Sequence, residues 1–331
     1  MKKEDRYKTP QDIRELAVGF RHSRILLTAL ELDVFTVLGD REKSSRQVAE
    51  EAGIDPRGTD RLLNALVSLG LLIKENDRFI NTSAAHCYLN QKSPDFMRGL
   101  LHTANQWRTW TTLTEAVRAG GLVLAPASDR ETTDRTRAFI GAMHARARDQ
   151  AGMLAKHFDL SGVRRILDVG GGSGAYAMAM VGGKPERTAV IFDLPRVIPL
   201  TRQYIQEEGL AAQVSAVEGN YLYDDLGSGF DLVFMSAIIH INSPQENRQL
   251  IQKGANALNP GGRLVIQDFI VDHDRTGPEP AVIFALNMLV GTPGGDTYTE
   301  AEIRTWMEAA GLYEIIRKDP APDLNLLLGK K

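Results

Sequence analysis

Between Pro10 and Leu38 the apolar positions recur at helical spacing, with Ile13, Leu16, Ala17 and Phe20 followed by Ile25, Leu26, Ala29 and Leu30, which predicts two helices or one bent one. Ser44 to Gly53 reads as a short capped helix ended by glycine. Asp55-Pro56 then opens a second helix through Leu62, Leu63, Ala65, Leu66 and Leu69, which Gly70 stops. A hairpin around Lys74 to Asp77 follows, and the unit reads as a winged helix. Further helices are expected from Asp95 to Ala119, carrying Trp107, Trp110 and Leu113, and from Asp134 to Phe158, carrying Phe139, Met143 and Met153, with a break at Gly120-Gly121.

From Val163 onward the period switches between strand and helix. Strands are expected near 164–169, 188–193, 213–218, 230–236 and 262–270, helices near 174–182, 196–208, 244–258 and 299–310, and two closing strands near 312–317 and 323–329. This is the alternation of an α/β fold with a Rossmann-like, doubly wound seven-stranded sheet. The division expected is 1–100 for the winged-helix-like domain, 101–160 for a helical linker lining a pocket, and 161–331 for the sheet domain. Ligands of such sheets bind beyond the carboxyl ends of the strands. Asp168, Asp193, Gly219-Asn220, His240 and Asp268 all fall at or just past such ends.

The run Ile166-Leu-Asp-Val-Gly-Gly-Gly-Ser-Gly174 joins a buried strand to a glycine turn that lets backbone approach a nucleotide-like ligand. Two cofactors compete for it. Gly172-Ser-Gly-Ala-Tyr-Ala177 fits the dinucleotide pattern G-x-G-x-x-G/A, but Asp168 just ahead of Gly170, Gly172 and Gly174 would repel a pyrophosphate and attract an ammonium group, which favours S-adenosylmethionine over NAD. Asp193 ends the second strand 19 residues after Gly174 and suits two ribose hydroxyls; both cofactors need it.

Composition narrows the field. With 43% hydrophobic and 24% charged residues, the chain is an ordinary globular protein with a sizeable core, and no apolar run approaches the roughly 20 residues that cross a bilayer. No membrane association is expected, and the location expected is the cytoplasm. The single cysteine, Cys87, excludes an internal disulfide and a cysteine-rich metal site. A net charge of -3 gives no general attraction to nucleic acid. Within residues 1–100, sixteen Lys/Arg face fifteen Asp/Glu, and the second helix of the winged unit offers only Arg57 and Arg61 beside Asp60. A DNA-binding regulator is therefore disfavoured against a dimerisation module whose apolar faces, including Leu26, Leu30 and Val34, pack on a second subunit.

Taken together, Leu167-Asp-Val-Gly-Gly-Gly-Ser-Gly174, Phe192-Asp-Leu-Pro195, Gly219-Asn220, Ala257-Leu-Asn-Pro-Gly-Gly262 and Pro293-Gly-Gly295 make the chain resemble the class I S-adenosylmethionine-dependent small-molecule O-methyltransferases that carry an N-terminal winged-helix dimerisation domain, as in plant phenolic, hydroxyindole and bacterial polyketide enzymes. The resemblance covers nearly the whole chain. It implies a homodimer through the N-terminal domain and a small-molecule acceptor. His240 would be the general base and Asp268 the carboxylate that orients it. It implies a cofactor set of Asp168, Gly170, Gly172, Gly174, Asp193, Leu194, Gly219, Asn220, Tyr221 and Ser236, with S-adenosylhomocysteine as product and no metal. Acceptor-lining candidates are Met143, His144, Asn287, Met288 and Thr292, with His102 and Trp107 as further pocket candidates; each also has a plain packing reading.

Several positions depart from the plant pattern. Where plant members read Asp-Trp-Ser-Asp after the histidine, this chain has Ile241-Asn-Ser-Pro244; Thr297 stands for a second carboxylate, Asn220 for an acid, Ser236 for a lysine, and Asp268 is shorter than the usual glutamate. The acceptor expected is a hydroxyl of an aromatic or quinol-like molecule. The alternatives that stay open are the same fold and cofactor with an S-, N- or C-acceptor or with non-methylating chemistry, and, more distantly, a cofactor-sensing DNA regulator.

Overall fold

The computed structural model describes residues 6–124, 129–157, 160–321 and 324–331, and the chain divides into two compact units, 1–105 and 106–331. In the first unit Pro10–Val18, Phe20–Glu31 and Val34–Leu38 are helices, so the early apolar period yields three segments. Ser44 caps Ser45–Ala52 in a reciprocal box with Gln47, and Gly53 closes that helix in the left-handed region. Asp55 caps Pro56–Ser68, with proline in the first turn. Strands Leu72–Glu75 and Arg78–Asn81 then pair around Asn76 and Asp77. Both turn residues have positive φ, which matches the twist of a tight hairpin. Lys43–Ser44 adds a third antiparallel strand. Phe35, Leu63, Leu66 and Phe79 are buried, and the Asn81 amide donates to the carbonyls of Phe35 and Gly39, satisfying the turn beneath them.

Two expected helices are redrawn. The segment 95–119 forms Gly99–Trp110 and Leu113–Ala119; the hydroxyls of Thr111 and Thr112 donate back to the carbonyls of Arg108 and Thr109, an alternative to continuing the helix ladder. The next helix runs from Asp129 to His157 and lies against the helix Ala175–Val181.

The second unit is built on seven strands: β1 Arg165–Val169, β2 Thr188–Asp193, β3 Val214–Glu218, β4 Phe230–Ser236, β5 Leu258–Asp268, β6 Tyr313–Ala321 and β7 Leu324–Lys330. Their order across the sheet is β6-β7-β5-β4-β1-β2-β3. Strands β1 to β5 are parallel, and β7 runs antiparallel to both its neighbours. Because helices cover both faces, the central strands read as unbroken apolar runs. Leu167, Val169, Val233 and Met235 face one core with Leu250, Ile251, Ile303 and Trp306; Ile166, Leu232 and Phe234 face the other with Met178 and Ile205. Each such side chain contributes about 1.5–3 kcal/mol.

β5 begins four residues earlier than its apolar run suggests. Leu258 already pairs with Phe230, and the register then slips across Asn259 to Gly262 before Arg263 meets Leu232. Beyond β5, Ile270–Val271 pairs in parallel with Tyr298–Thr299, which brings the segment after helix Glu279–Gly291 back beside the end of β4.

Candidate active site

At the carboxyl end of β1 the chain turns through Gly170, Gly172 and Gly174, all at positive φ. Two of its positions have no room for a side chain: a Cβ on Gly170 would stand 2.2 Å from Ile238 Cδ1, and one on Gly171 would stand 2.6 Å from the Asp168 carboxylate. Asp168 is 1% exposed, and neither of its oxygens has a hydrogen-bond partner. Burial, and then the neighbouring Asp193 charge, pushes its carboxyl up to about 7. A buried, unpaired carboxylate is costly on its own.

Asp193, at the end of β2, is committed to the same loop. One oxygen accepts from the Gly172 N–H at 2.7 Å and the other from the Leu194 N–H at 2.7 Å. Burial raises its pKa, against the lowering effects of those two bonds and of the Arg196 charge. The turn after β3 is held locally: Gly219 lies so close to the Phe192 ring that a Cβ would stand 2.3 Å from Cζ, while Asn220 accepts from the Leu222 N–H with its side chain and donates its own N–H to Asp224. Tyr221 donates its hydroxyl to Asn242 at 3.0 Å, and burial pushes its phenol up to about 12.

The chain leaves β4 through Ala237, at positive φ, into the short 3-10 turn Ile239–Ile241. His240 on this turn is 7% exposed and sits with Nδ1 2.6 Å from Asp268 Oδ1. Asp268 Oδ2 accepts from the N–H groups of Ile239 and His240 at 3.1 and 3.3 Å, and Oδ1 also accepts from Phe269 N–H at 2.8 Å. The carboxylate thus fixes backbone and ring together, and the shorter aspartate suffices because the turn is drawn onto it. Nε2 has no partner among the described residues. The Phe284 ring meets the imidazole edge-on at 4.8 Å, and Phe269 stacks on Phe284 at 4.1 Å. Asp296 donates its N–H to the His240 carbonyl, and Gly295 passes so near that a Cβ would stand 2.3 Å from that oxygen. Thr297 is buried with its hydroxyl unpartnered, so Asp268 is the carboxylate that holds His240.

A cavity of about 280 Å³ opens over these strand ends. Among the expected residues its wall includes Asp168, Gly170, Gly172, Asp193, Leu194, Tyr221, Ser236, Asp268 and Met143. Gly174, Gly219, Asn220, His240, His144, Asn287, Met288, Thr292 and Trp107 are not in the wall. Physical reasons are visible for several of them. Gly174 is packed on Ile191. His144 points a third of a helical turn away from Met143, stacking on Tyr204 at 4.0 Å with Nδ1 2.9 Å from the Ser173 hydroxyl. Asn287 accepts from the Trp110 indole at 2.9 Å, Met288 is buried, and the Thr292 hydroxyl donates to the Met288 carbonyl while accepting from Gly295 N–H.

The wall also holds residues that the sequence reading passed over: Phe139, Ile140, Arg146 and Gln150 on the helix bearing Met143, then Tyr176, Arg196, Ile238, Gln267 and Phe269. Tyr176 donates to Gln150 at 2.8 Å, and Ser236 donates to Gln267. The signal for the first group was present: 139, 143, 146 and 150 repeat at the spacing of one helical face. Among the described residues no cluster of three or more His, Cys, Asp or Glu is arranged for a metal ion, and no helix is long and apolar enough to cross a membrane.

Comparison with known proteins bears on this geometry. Residues 110–313 match the O-methyltransferase domain family and residues 14–91 the O-methyltransferase dimerisation domain family. The chain is 33% identical to a 3-hydroxy-5-methyl-1-naphthoate 3-O-methyltransferase of Streptomyces sahachiroi, over 92% of this chain and 90% of that protein. An O-methyltransferase family protein from Burkholderia thailandensis superposes with a TM-score of 0.87 at 28% identity, covering 98% of each chain. Human N-acetylserotonin methyltransferase, solved in complex with S-adenosylmethionine, superposes at 0.83 with 26% identity, covering 100% of this chain and 99% of that one.

Proposed function

Because the chain belongs to the S-adenosylmethionine-dependent O-methyltransferase family, we propose that it methylates a hydroxyl of a small aromatic or quinol-like molecule, with His240 as the general base. The observation that carries the proposal is the pairing of His240 Nδ1 with Asp268 at 2.6 Å, which leaves Nε2 to receive a proton. The naphthoate O-methyltransferase it resembles acts on an aromatic hydroxyl, which supports the acceptor class.

The residues present fit the cofactor. Asp168 would pair its orphaned oxygens with the ammonium group, the glycine turn would lie under the amino-acid portion, and Asp193 with Leu194 would receive the ribose. When bound, S-adenosylmethionine supplies an electrophilic methyl group on a sulfonium. The protein's part is geometry and proton transfer. The cavity wall orients the acceptor, His240 takes the hydroxyl proton at Nε2 as the oxygen becomes nucleophilic, and Asp268 fixes the tautomer and stabilises the cationic ring. Ser236, Tyr221 and Met143 complete the wall around donor and acceptor.

In the same reading, residues 1–100 form a winged-helix dimerisation domain, 101–160 a helical linker and 161–331 the catalytic domain. Ile13, Leu16, Val18 and Phe20 are exposed on the first two helices and would be covered in a homodimer.

The test is His240→Ala, assayed by transfer of labelled methyl to a panel of naphthols, quinols and hydroxyindoles. A loss of about 10²–10⁴-fold in rate, with calorimetric affinity for S-adenosylhomocysteine retained, is expected. Undiminished transfer to the accepted compound would remove His240 from the mechanism. The methylated atom, read from the product by NMR, separates O- from N-, S- or C-transfer.

A further inference from the structure

Two arginines enter the cavity wall, and they differ in what they face. Arg196 stands beside Asp193, whose pKa its charge lowers. Arg146 is exposed and pairs with no carboxylate among the described residues; its guanidinium lies 5.5 Å over the Phe269 ring. Asp168, also in the wall, is buried with both oxygens unpartnered, so it does not neutralise Arg146. The other described residues that this helix adds to the wall, among them Phe139, Met143 and Gln150, are uncharged. Across from it the Tyr176 phenol feels its positive charge.

Phe269 fixes where this cation sits relative to the chemistry. Its ring lies 6.3 Å from the His240 imidazole and stacks on Phe284, which touches His240 edge-on. One aromatic ring therefore separates guanidinium and imidazole. A cation in the wall, with the base standing behind the aromatic ring beside it, is complementary to a planar molecule carrying an acid on one side and a hydroxyl on the other. Arginine offers a planar fork that a carboxylate can accept in two bonds.

We propose that Arg146 is the specificity-determining residue of the acceptor pocket and selects hydroxylated aromatic acids, pairing with the acceptor carboxylate while the hydroxyl to be methylated lies toward His240. The proposal rests on the reading that this cavity takes a hydroxyarene beside His240. The cofactor's own carboxylate is the competing anion. Against it, Asp168 and Asp193 draw the cofactor along β1 and β2, whereas the ring under Arg146 belongs to the stack that reaches His240.

The experiment measures binding of 6-hydroxy-2-naphthoate and of 2-naphthol to the full chain saturated with S-adenosylhomocysteine. The wild type is expected to bind the acid at least about tenfold more tightly, the worth of one charge-assisted pair. Arg146→Gln should erase that ratio, Arg146→Lys should restore part of it, and the affinity for 2-naphthol should stay constant throughout. A wild-type ratio near one, or a ratio that survives in Arg146→Gln, overturns the proposal. So does a matching loss of S-adenosylhomocysteine affinity in Arg146→Gln, which assigns the cation to the cofactor. Failure of the base assignment is distinguishable, because an inactive or fully active His240→Ala leaves the ratio intact.

Discussion

Asp268 holds His240 from two sides at once, taking the ring at Nδ1 with one oxygen and the backbone N–H with the other. Asp268→Asn removes the negative charge and offers the ring an amide that can donate as well as accept. Methyl transfer is expected to fall by about 10²-fold or more, with little change in S-adenosylhomocysteine affinity. Asp268→Ala also strands the N–H groups of Ile239, His240 and Phe269, and should cost about 1–3 kcal/mol for each one that stays buried. Denaturant unfolding of the two variants separates the catalytic loss from the structural one.

The isolated carboxylate at Asp168 makes cofactor affinity depend on pH. With its pKa pushed up to about 7, the group binds a proton more tightly in the folded chain than in the unfolded one. S-adenosylhomocysteine should therefore bind more tightly as pH rises through about 7, where the carboxylate ionises opposite the ammonium group. Stability of the cofactor-free protein moves the other way. A raised folded pKa stabilises fully below the unfolded value, and that contribution is lost as pH climbs from about 4 through about 7. Asp168→Asn should flatten both slopes, as measured by calorimetry and by melting over the same pH range.

Two glycines at the same kind of backbone angle should respond differently to alanine. Gly174 and Gly183 both have positive φ, but a Cβ at 174 would stand 2.2 Å from Ile191 Cδ1, whereas nothing lies within 4 Å of one at 183. Gly183→Ala should cost about 1–2 kcal/mol from backbone strain alone. Gly174→Ala adds about 1–3 kcal/mol of overpacking and should also weaken S-adenosylhomocysteine by displacing the turn. Equal losses at the two positions in urea unfolding would deny the packing role of Gly174.

The exposed apolar helix ends offer a fourth test. Leu16→Glu combined with Phe20→Glu should shift the mass measured by light scattering from two chains toward one, without lowering the melting temperature of a chain whose buried core contains neither residue. Retention of a two-chain mass would move the interface elsewhere.

Much of the sheet unit was readable because its signals are local. Apolar runs ending in Asp168 and Asp193, with glycines at the turns, allow few other structures, and the caps Ser44, Asp55 and Ser243 mark helix starts by their own chemistry. The start of β5 was misplaced because Pro260-Gly261-Gly262 reads as a turn, while the strand passes through it as an irregularity in pairing. The family resemblance put His240 and Asp268 together at neighbouring strand ends, whereas nothing in the sequence put Arg146 beside Phe269. Their relationship exists only after a helix 123 residues away in the chain is laid beside β5, and no spacing in the sequence encodes that distance. His144 illustrates the converse error: adjacent helical residues diverge by about 100°, so proximity to Met143 in sequence was no guide to direction.

The insertion of β7 between β5 and β6 governs the order in which the sheet can form. The strand latest in the chain is interior, and β6 hydrogen-bonds to the sheet only through it. A chain cut before Leu324 would lose more than a margin. It would leave Leu264, Val265 and Ile266 on an open, largely uncharged edge and set β6 adrift. Such an edge recruits other strands, so shortened or incompletely synthesised chains are expected to aggregate rather than to persist as soluble, weakened enzymes.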